Sequence, residues 1–344
     1  MNSTIACIGT ASVRGSEGLY AVAVDTEAGR LRRCSSAPSI NSGYVVFSPD
    51  KQFVFATQES MTFSGLPCGG VAAYRLGGDG VLSPVNRVPA GGQLPCHISI
   101  RPDGGEVYVS SYLKGCVSIH RVLPNGAVAP CHKLIQLPES HGIEPSVHCA
   151  VVTPGGEYLC MLNVTAHDIV FIELSSGEYQ EADRLELGPP YSRRPRQIVF
   201  SGSHAYLLTE TGKEVVVFEF DASRRPFLRQ RQVLKLYPGG DELPRSAAAC
   251  IKLSPDGRTL ACSVRAYNLI TTFAVGEDGA LSRPVFNPIR GQTPRDFNFT
   301  PDGGHILVGA QQSDTMELYR LEADGGLSPL ETDFRLPSCF CVAF

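Results

Sequence analysis

Short apolar runs recur along this chain, bounded by Gly, Pro, Asp and Ser, and no stretch sustains the three-to-four residue apolar spacing of an amphipathic helix. The boundaries themselves repeat. Phe47-Ser48-Pro49-Asp50, Arg101-Pro102-Asp103-Gly104, Thr153-Pro154-Gly155-Gly156, Ser254-Pro255-Asp256-Gly257 and Thr300-Pro301-Asp302-Gly303 are turn signals of one kind. Their prolines are separated by 53, 52, 101 and 46 residues, and the double gap hides one further unit at Phe200-Ser201-Gly202-Ser203. Each signal sits between two apolar runs of strand length, such as 97–100 and 106–109, 249–253 and 259–262, or 297–299 and 305–308. These pairs predict hairpins. A third strand is expected after each, at 70–76, 116–122, 169–174, 215–220, 270–275 and 316–321, and a more polar fourth one in segments such as 80–83 and 279–282.

Four strands repeating about every 50 residues are the pattern of a propeller blade. Innermost strands are expected at 43–48, 95–100, 146–152, 195–200, 248–253, 294–299 and 338–344. The chain opens on second- and third-strand patterns at 5–9 and 18–24, so the last strand should complete the blade begun by the first residues. The prediction is an all-β, seven-bladed propeller with four antiparallel strands per blade. It forms one domain over 1–344 and is closed by its C-terminal strand, which leaves no free sheet edge in that blade's interior.

Composition narrows the class. The 344 residues include 35 Gly and 25 Pro, yet 43% are hydrophobic and 19% charged, which is enough to build a core and excludes disorder. No apolar run approaches the roughly 18 residues of a membrane helix, and the first residues lack the marks of an export signal. A soluble, cytoplasmic protein without membrane contact is expected. On that expectation the sequons at Asn2, Asn163 and Asn298 carry no weight, and the twelve cysteines read as reduced thiols. No cysteine spacing suggests a zinc site. The net charge of -4 gives no general attraction to nucleic acid, so any anion site must be a local cluster.

The repeat permits unit-to-unit comparison. Six residues before each turn proline, or before Gly202, stand Gly43, Cys96, His148, Arg196, Ala249 and Arg295, and one place later Tyr44, His97, Cys149, Gln197, Cys250 and Asp296. A purely structural column should be uniformly apolar, whereas these mix His, Arg, Asp and Gln at one end of the channel. Second strands should leave at the same end, bringing Glu59, Tyr112, Asn163, Glu210, Arg265 and Gln311 beside them. Inter-blade ion pairing of Arg295 and Asp296, and backbone bonding of His97 and His148, are the structural alternatives. In the run Arg193-Arg194-Pro195-Arg196, only Arg196 is in phase, and the first two arginines are expected in a solvated loop. Nucleophile-elbow, zinc-protease, phosphate-loop and dinucleotide motifs are all missing.

Taken together, Gly69-Gly70-Val71-Ala72-Ala73-Tyr74, Pro95-Cys96-His97-Ile98-Ser99, Val147-His148-Cys149, Pro195-Arg196-Gln197, Pro294-Arg295-Asp296-Phe297 and the ending Cys341-Val342-Ala343-Phe344 resemble the seven-bladed lactonase family. That family includes propeller-type 6-phosphogluconolactonases and the fungal 3-carboxy-cis,cis-muconate lactonizing enzymes. The resemblance runs from Gly9-Thr10 to the end and extends to Asp314. It implies a cofactor-free, metal-free site in the central cleft that takes a small phosphorylated or carboxylated lactone. His148, Glu210, Arg196 and Arg265 would be its catalytic residues, with His97, Arg295, Asp296, Tyr112, Glu59 and Gln311 around the substrate. His148 would serve as general base, Glu210 would orient it or act as base itself, and the arginines would hold the anion. The chain departs from the family at Ser146 and Gln197, where members often carry histidine. The resemblance implies hydrolysis of an acidic sugar lactone, 6-phosphogluconolactone first, with cycloisomerisation of a muconate and a non-catalytic binding platform as the alternatives.

Overall fold

In the computed structural model, residues 3–140, 142–188, 193–239 and 247–344 are described. They form seven four-stranded antiparallel sheets. The innermost strands are Val45–Phe47, Pro95–Ile100, Val147–Val152, Pro195–Ser201, Ala248–Leu253, Pro294–Phe299 and Cys339–Ala343, one per blade and within a few residues of the expected ranges. Each of these strands contacts the innermost strands of the blades before and after it, and the last contacts the first, which closes the ring.

The ring has no single core. Seven apolar clusters each join two neighbouring blades, as where Phe55, Val71 and Ala73 of the first blade meet Ile98, Val107 and Val109 of the second. Burial between sheets, on both faces of the second and third strands, explains why those strands read as continuous apolar runs.

The repeated turn has a repeated chemistry. Ser48, Ser254 and Thr300 donate their hydroxyls to Asp50, Asp256 and Asp302 at 2.6, 2.6 and 2.5 Å. The same carboxylates accept backbone N–H groups of Gln52, Arg258 and Gly304. An aspartate that satisfies the turn from within needs no other partner, which is why the signal recurs. The fourth blade, hidden in the double gap, turns instead on Gly202 and Ser203 between Pro195–Ser201 and His204–Thr209.

The seventh blade draws from both ends of the chain. Cys339–Ala343 pairs with Thr4–Thr10, which pairs with Gly18–Asp25 and then Arg30–Pro38. One expected strand is corrected. Residues 276–280 form a turn closed between Gly276 and Ala280, with Gly279 at φ 74° and Asp278 accepting the Ala280 N–H; Leu281 makes only an isolated bridge with Val275, and the fourth strand follows at Val285–Pro288. Among the described residues, no helix is long and apolar enough to cross a membrane. Among the described residues one 3-10 turn, Arg265–Tyr267, interrupts the strands.

Candidate active site

Six of the seven innermost strands carry a register shift against their hairpin partner at the same place. In four of these blades the unpaired residue is Cys96, His148, Arg196 or Arg295. In the fifth blade the shift spans Ala249 and Cys250, and in the seventh it leaves Phe340 unpaired. Cys96, His148, Arg196, Ala249 and Arg295 are residues of the first sequence column, and Phe340 adds the seventh blade's counterpart. A bulge leaves its extra residue outside the ladder and re-aims the side chain. Seven bulge-level positions thus ring one mouth of the channel, and Gly43 of the first blade holds the remaining place.

Glu210 gathers three arginines there. Arg196 Nη1 and Arg265 Nη2 donate to its Oε1 at 3.0 and 3.1 Å, and Arg194 Nε lies 3.5 Å from its Oε2. The backbone fixes both inner guanidiniums from behind, with Arg196 Nε on the Ala249 carbonyl at 2.9 Å and Arg265 Nε on that of Ala247 at 3.1 Å. One terminal nitrogen of each, Arg196 Nη2 and Arg265 Nη1, is left without a protein acceptor among the described residues. Burial, with Arg196 and Arg295 nearby, pulls the Arg265 guanidinium down to about 10, so it keeps its charge at neutral pH.

His148 is 7% exposed, with its Nδ1 unpartnered, and Tyr112 stands edge-on at 6.3 Å between ring centroids. Burial, followed by the charges of Arg196, neighbouring His97, Arg295 and Arg265, holds the imidazole well below its usual range. It is neutral throughout physiological pH. Arg295 lies over the Phe340 ring at 4.0 Å from the centroid, and burial and Arg196 lower its guanidinium. Cys96 is no nucleophile, since burial pushes its thiol up.

Arg194 corrects the expectation of a solvated loop. Its φ of 47° turns the chain back, and its Nη2 donates to the Tyr112 hydroxyl at 2.7 Å. Arg193 stays at the rim, 3.7 Å from Glu214. Sequence phase could not find Arg194 because it precedes the strand.

Most of the second column turns away from the mouth. Asp296 Oδ2 accepts the Val342 N–H at 2.8 Å, Gln197 Oε1 that of Ile251 at 3.1 Å and Cys341 Sγ that of Val45 at 3.3 Å, so these side chains bind one blade to the next. The Arg295–Asp296 ion pair, the structural alternative for these two residues, is absent among the described ion pairs. His97 packs against Tyr44 with the rings tilted by 40° and their centroids 4.3 Å apart, approaches Cys149 Sγ at 3.6 Å and is pushed down to about 3 by burial. Together with Ser99, Lys252 and Asn298 it lines a cavity of about 320 Å³ at the far end of the channel. Lys252, which donates to the Tyr44 hydroxyl at 2.9 Å, was not anticipated, although it is the one charge in a column of Val46, Ser99, Val151, Val199 and Asn298. Ser146 offers its backbone N–H to Asn163 Oδ1, which holds the loop and not a ligand. Gln311 meets Arg14 through its backbone carbonyl, and Asp314 pairs with the same arginine at 2.7 Å at the rim.

Removing Asp296 tests this division. Asp296→Ala strands a buried N–H of the closing strand and should cost about 1–3 kcal/mol of stability with KM unchanged. A raised KM with unaltered melting would return Asp296 to the substrate.

Comparison with known proteins agrees with this architecture. A Bacillus subtilis protein named 6-phosphogluconolactonase is 27% identical over 354 residues, covering 100% of this chain and 99% of its own. A Yersinia pestis protein of the same name is 28% identical over 75% of each chain. The structure of the Pseudomonas aeruginosa periplasmic gluconolactonase superposes with a TM-score of 0.89 at 26% identity, covering 99% of this chain and 98% of that one. The family described as "Lactonase, 7-bladed beta-propeller" matches residues 5–344. This chain therefore belongs to the seven-bladed β-propeller lactonase family.

Proposed function

We propose that this protein hydrolyses an acidic sugar lactone at the bulge-ringed mouth, with 6-phosphogluconolactone as the first substrate to test. The observation that carries the reading is the Glu210 cluster, in which two backbone-anchored guanidiniums each keep a nitrogen without an acceptor among the described residues, beside a neutral, buried His148. The names of the Bacillus and Yersinia relatives support it.

His148 takes a proton from water as the water oxygen bonds to the lactone carbonyl carbon. The free nitrogens of Arg196 and Arg265 receive the developing oxyanion or the substrate's own carboxylate or phosphate, and their anchoring spares reorganisation during the reaction. Glu210 holds the pair in place. Arg295 serves as a further anion contact, and Tyr112 and Gln311 border the substrate. His97 and Asp296 are left out of this reading, because their side chains face the next blade and the far cavity.

Acid release from 6-phosphogluconolactone, gluconolactone and carboxymuconolactone measures both the activity and the value of the anionic group. Faster turnover of the anionic lactones is expected. Lactone formation from a muconate, with no hydrolysis, would replace the reading by cycloisomerisation. Arg265→Ala should raise KM for the anionic substrate, since a desolvated charge contact of this kind is worth about 2–5 kcal/mol. Arg265→Lys should recover only part, because an ammonium lacks the forked geometry. An unchanged KM in both variants would move the anion elsewhere.

The mouth is richer in guanidiniums than in carboxylates, and among the described residues no group of three or more His, Cys, Asp and Glu is placed to hold a metal ion. Activity should therefore survive chelator treatment. Loss on chelation with recovery on added calcium or zinc would contradict this. The cytoplasm is the proposed compartment, supported by twelve cysteines that are all free thiols.

A further inference from the structure

Opening a lactone needs two proton transfers, one from the attacking water and one to the departing ring oxygen. His148 accounts for the first. Glu210 is poorly placed for the second, because its Oε1 is taken by Arg196 and Arg265 and its Oε2 faces Arg194. A second carboxyl reaches the same level of the channel. Glu59 leaves the second strand of the first blade, its backbone held by Asn41 through bonds of 2.9 and 3.1 Å. Its Oε2 is buried and has no hydrogen-bond partner.

The ring of bulge positions makes room for it. Where the other blades place Cys96, His148, Arg196, Ala249, Arg295 and Phe340, the first blade has Gly43. A Cβ built there would lie 2.7 Å from Glu59 Oε2 and 3.2 Å from Thr57 Oγ1. The Glu59 carboxyl fills the space that a side chain at position 43 would occupy. It stands two blades from His148, with only the Cys96 blade between them, and the substrate's anion contacts lie in the fourth to sixth blades.

We propose that Glu59 is the catalytic acid of this site, delivering a proton to the ring oxygen of the lactone as the acyl C–O bond breaks. The proposal rests on the hydrolase reading above. Water's oxygen bonds to the carbonyl carbon while its proton passes to His148, giving an imidazolium and a tetrahedral oxyanion. As that oxyanion collapses, the C–O bond to the ring oxygen breaks and its electron pair takes the proton of the Glu59 carboxyl. The products are the hydroxy acid, a Glu59 carboxylate and a protonated His148, and solvent returns the proton from one to the other. Burial raises the Glu59 carboxyl above its ordinary range, with Arg295 and Arg196 acting against the rise, which favours a resident proton.

The test compares two ring-oxygen leaving groups. Glu59→Gln, which keeps shape but cannot give up a proton, should lower kcat on 6-phosphogluconolactone about 100-fold or more with KM within twofold. On a carboxylated lactone whose leaving oxygen is a phenol, which departs without help, the same variant should lose less than about fivefold relative to the parent. Gly43→Ala supplies a second route. It leaves Glu59 in the chain and displaces its carboxyl, with the Thr57 hydroxyl the next contact at 3.2 Å, and it should reproduce the kcat loss in a protein that still folds, as its melting would show.

An equal loss on both lactones, or a raised KM with kcat retained, would overturn the assignment and make Glu59 a countercharge for Arg295. If the parent opens the lactones and Glu59→Gln does so equally well, only the assignment of the acid fails. If the parent opens none of them, the hydrolase reading fails and the acid with it.

Discussion

Replacing His148 by alanine should lower kcat by roughly 10²–10⁴-fold and leave KM nearly unchanged, because a general base contributes mainly in the transition state. The pH profile distinguishes this role from a merely structural one. A base whose folded value lies well below 6.5 is already deprotonated at neutral pH, and it gains a proton only as the pH falls toward that depressed value. For the parent, the acid limb of kcat/KM should lie well below pH 6.5, any alkaline limb belongs to loss of the Glu59 proton, and the His148→Ala variant should lose the acid limb. An acid limb centred near pH 6.5 would place the base on a less buried group. Unchanged kinetics in a folded His148→Ala protein, with Arg265→Ala equally inert, would remove catalysis from this mouth.

Deleting residues 338–344 should cost stability on the scale of the whole folding margin, about 5–15 kcal/mol for an ordinary protein. Cys339, Cys341, Val342 and Ala343 are each at most 6% exposed, and the strand pairs with Thr4–Thr10 from residue 7 to residue 10. Its backbone is also bonded to the sixth blade, the Val342 N–H donating to Asp296 and the Val342 carbonyl accepting from Asn298 Nδ2. Without it, the edge of Thr4–Thr10 faces the channel unpaired, and the apolar clusters on both sides of the seventh blade lose a wall. The truncated protein should aggregate or melt at least about 10 °C lower. A variant that melts with the parent would show that the ring is held closed by other contacts.

The position of Glu59 shows where local pattern stops being informative. Its place ten residues after Pro49 marks it as a second-strand exit, yet nothing in that spacing tells that Gly43 leaves it a berth among the bulge residues. Arg194 teaches the same lesson from the other side. It lies outside the repeat's phase and still reaches Tyr112 and Glu210, because a positive φ just before the strand swings it inward. Chain neighbours in adjacent columns can also have opposite fates. Arg295 turns onto Phe340 at the mouth, and Asp296, one residue on, turns to the Val342 N–H of the next blade.

By itself the sequence determined the number of blades, the place of every innermost strand, the turn chemistry and the sharing of the seventh blade between the two ends. All of these follow from forces acting over a few residues: the alternation or continuity of apolar side chains, the self-satisfying Asp turn, and a period long enough to count. Only the tertiary structure decided which of two adjacent polar residues faces the channel and which binds the next blade. That choice is made by the bulge, which exists only when two strands pair out of step, and by the room a neighbouring blade leaves. The chemistry of the site is set at that level, where His148, Arg196, Arg265 and Glu59 from separate blades share one mouth and His97, Gln197 and Asp296 do not.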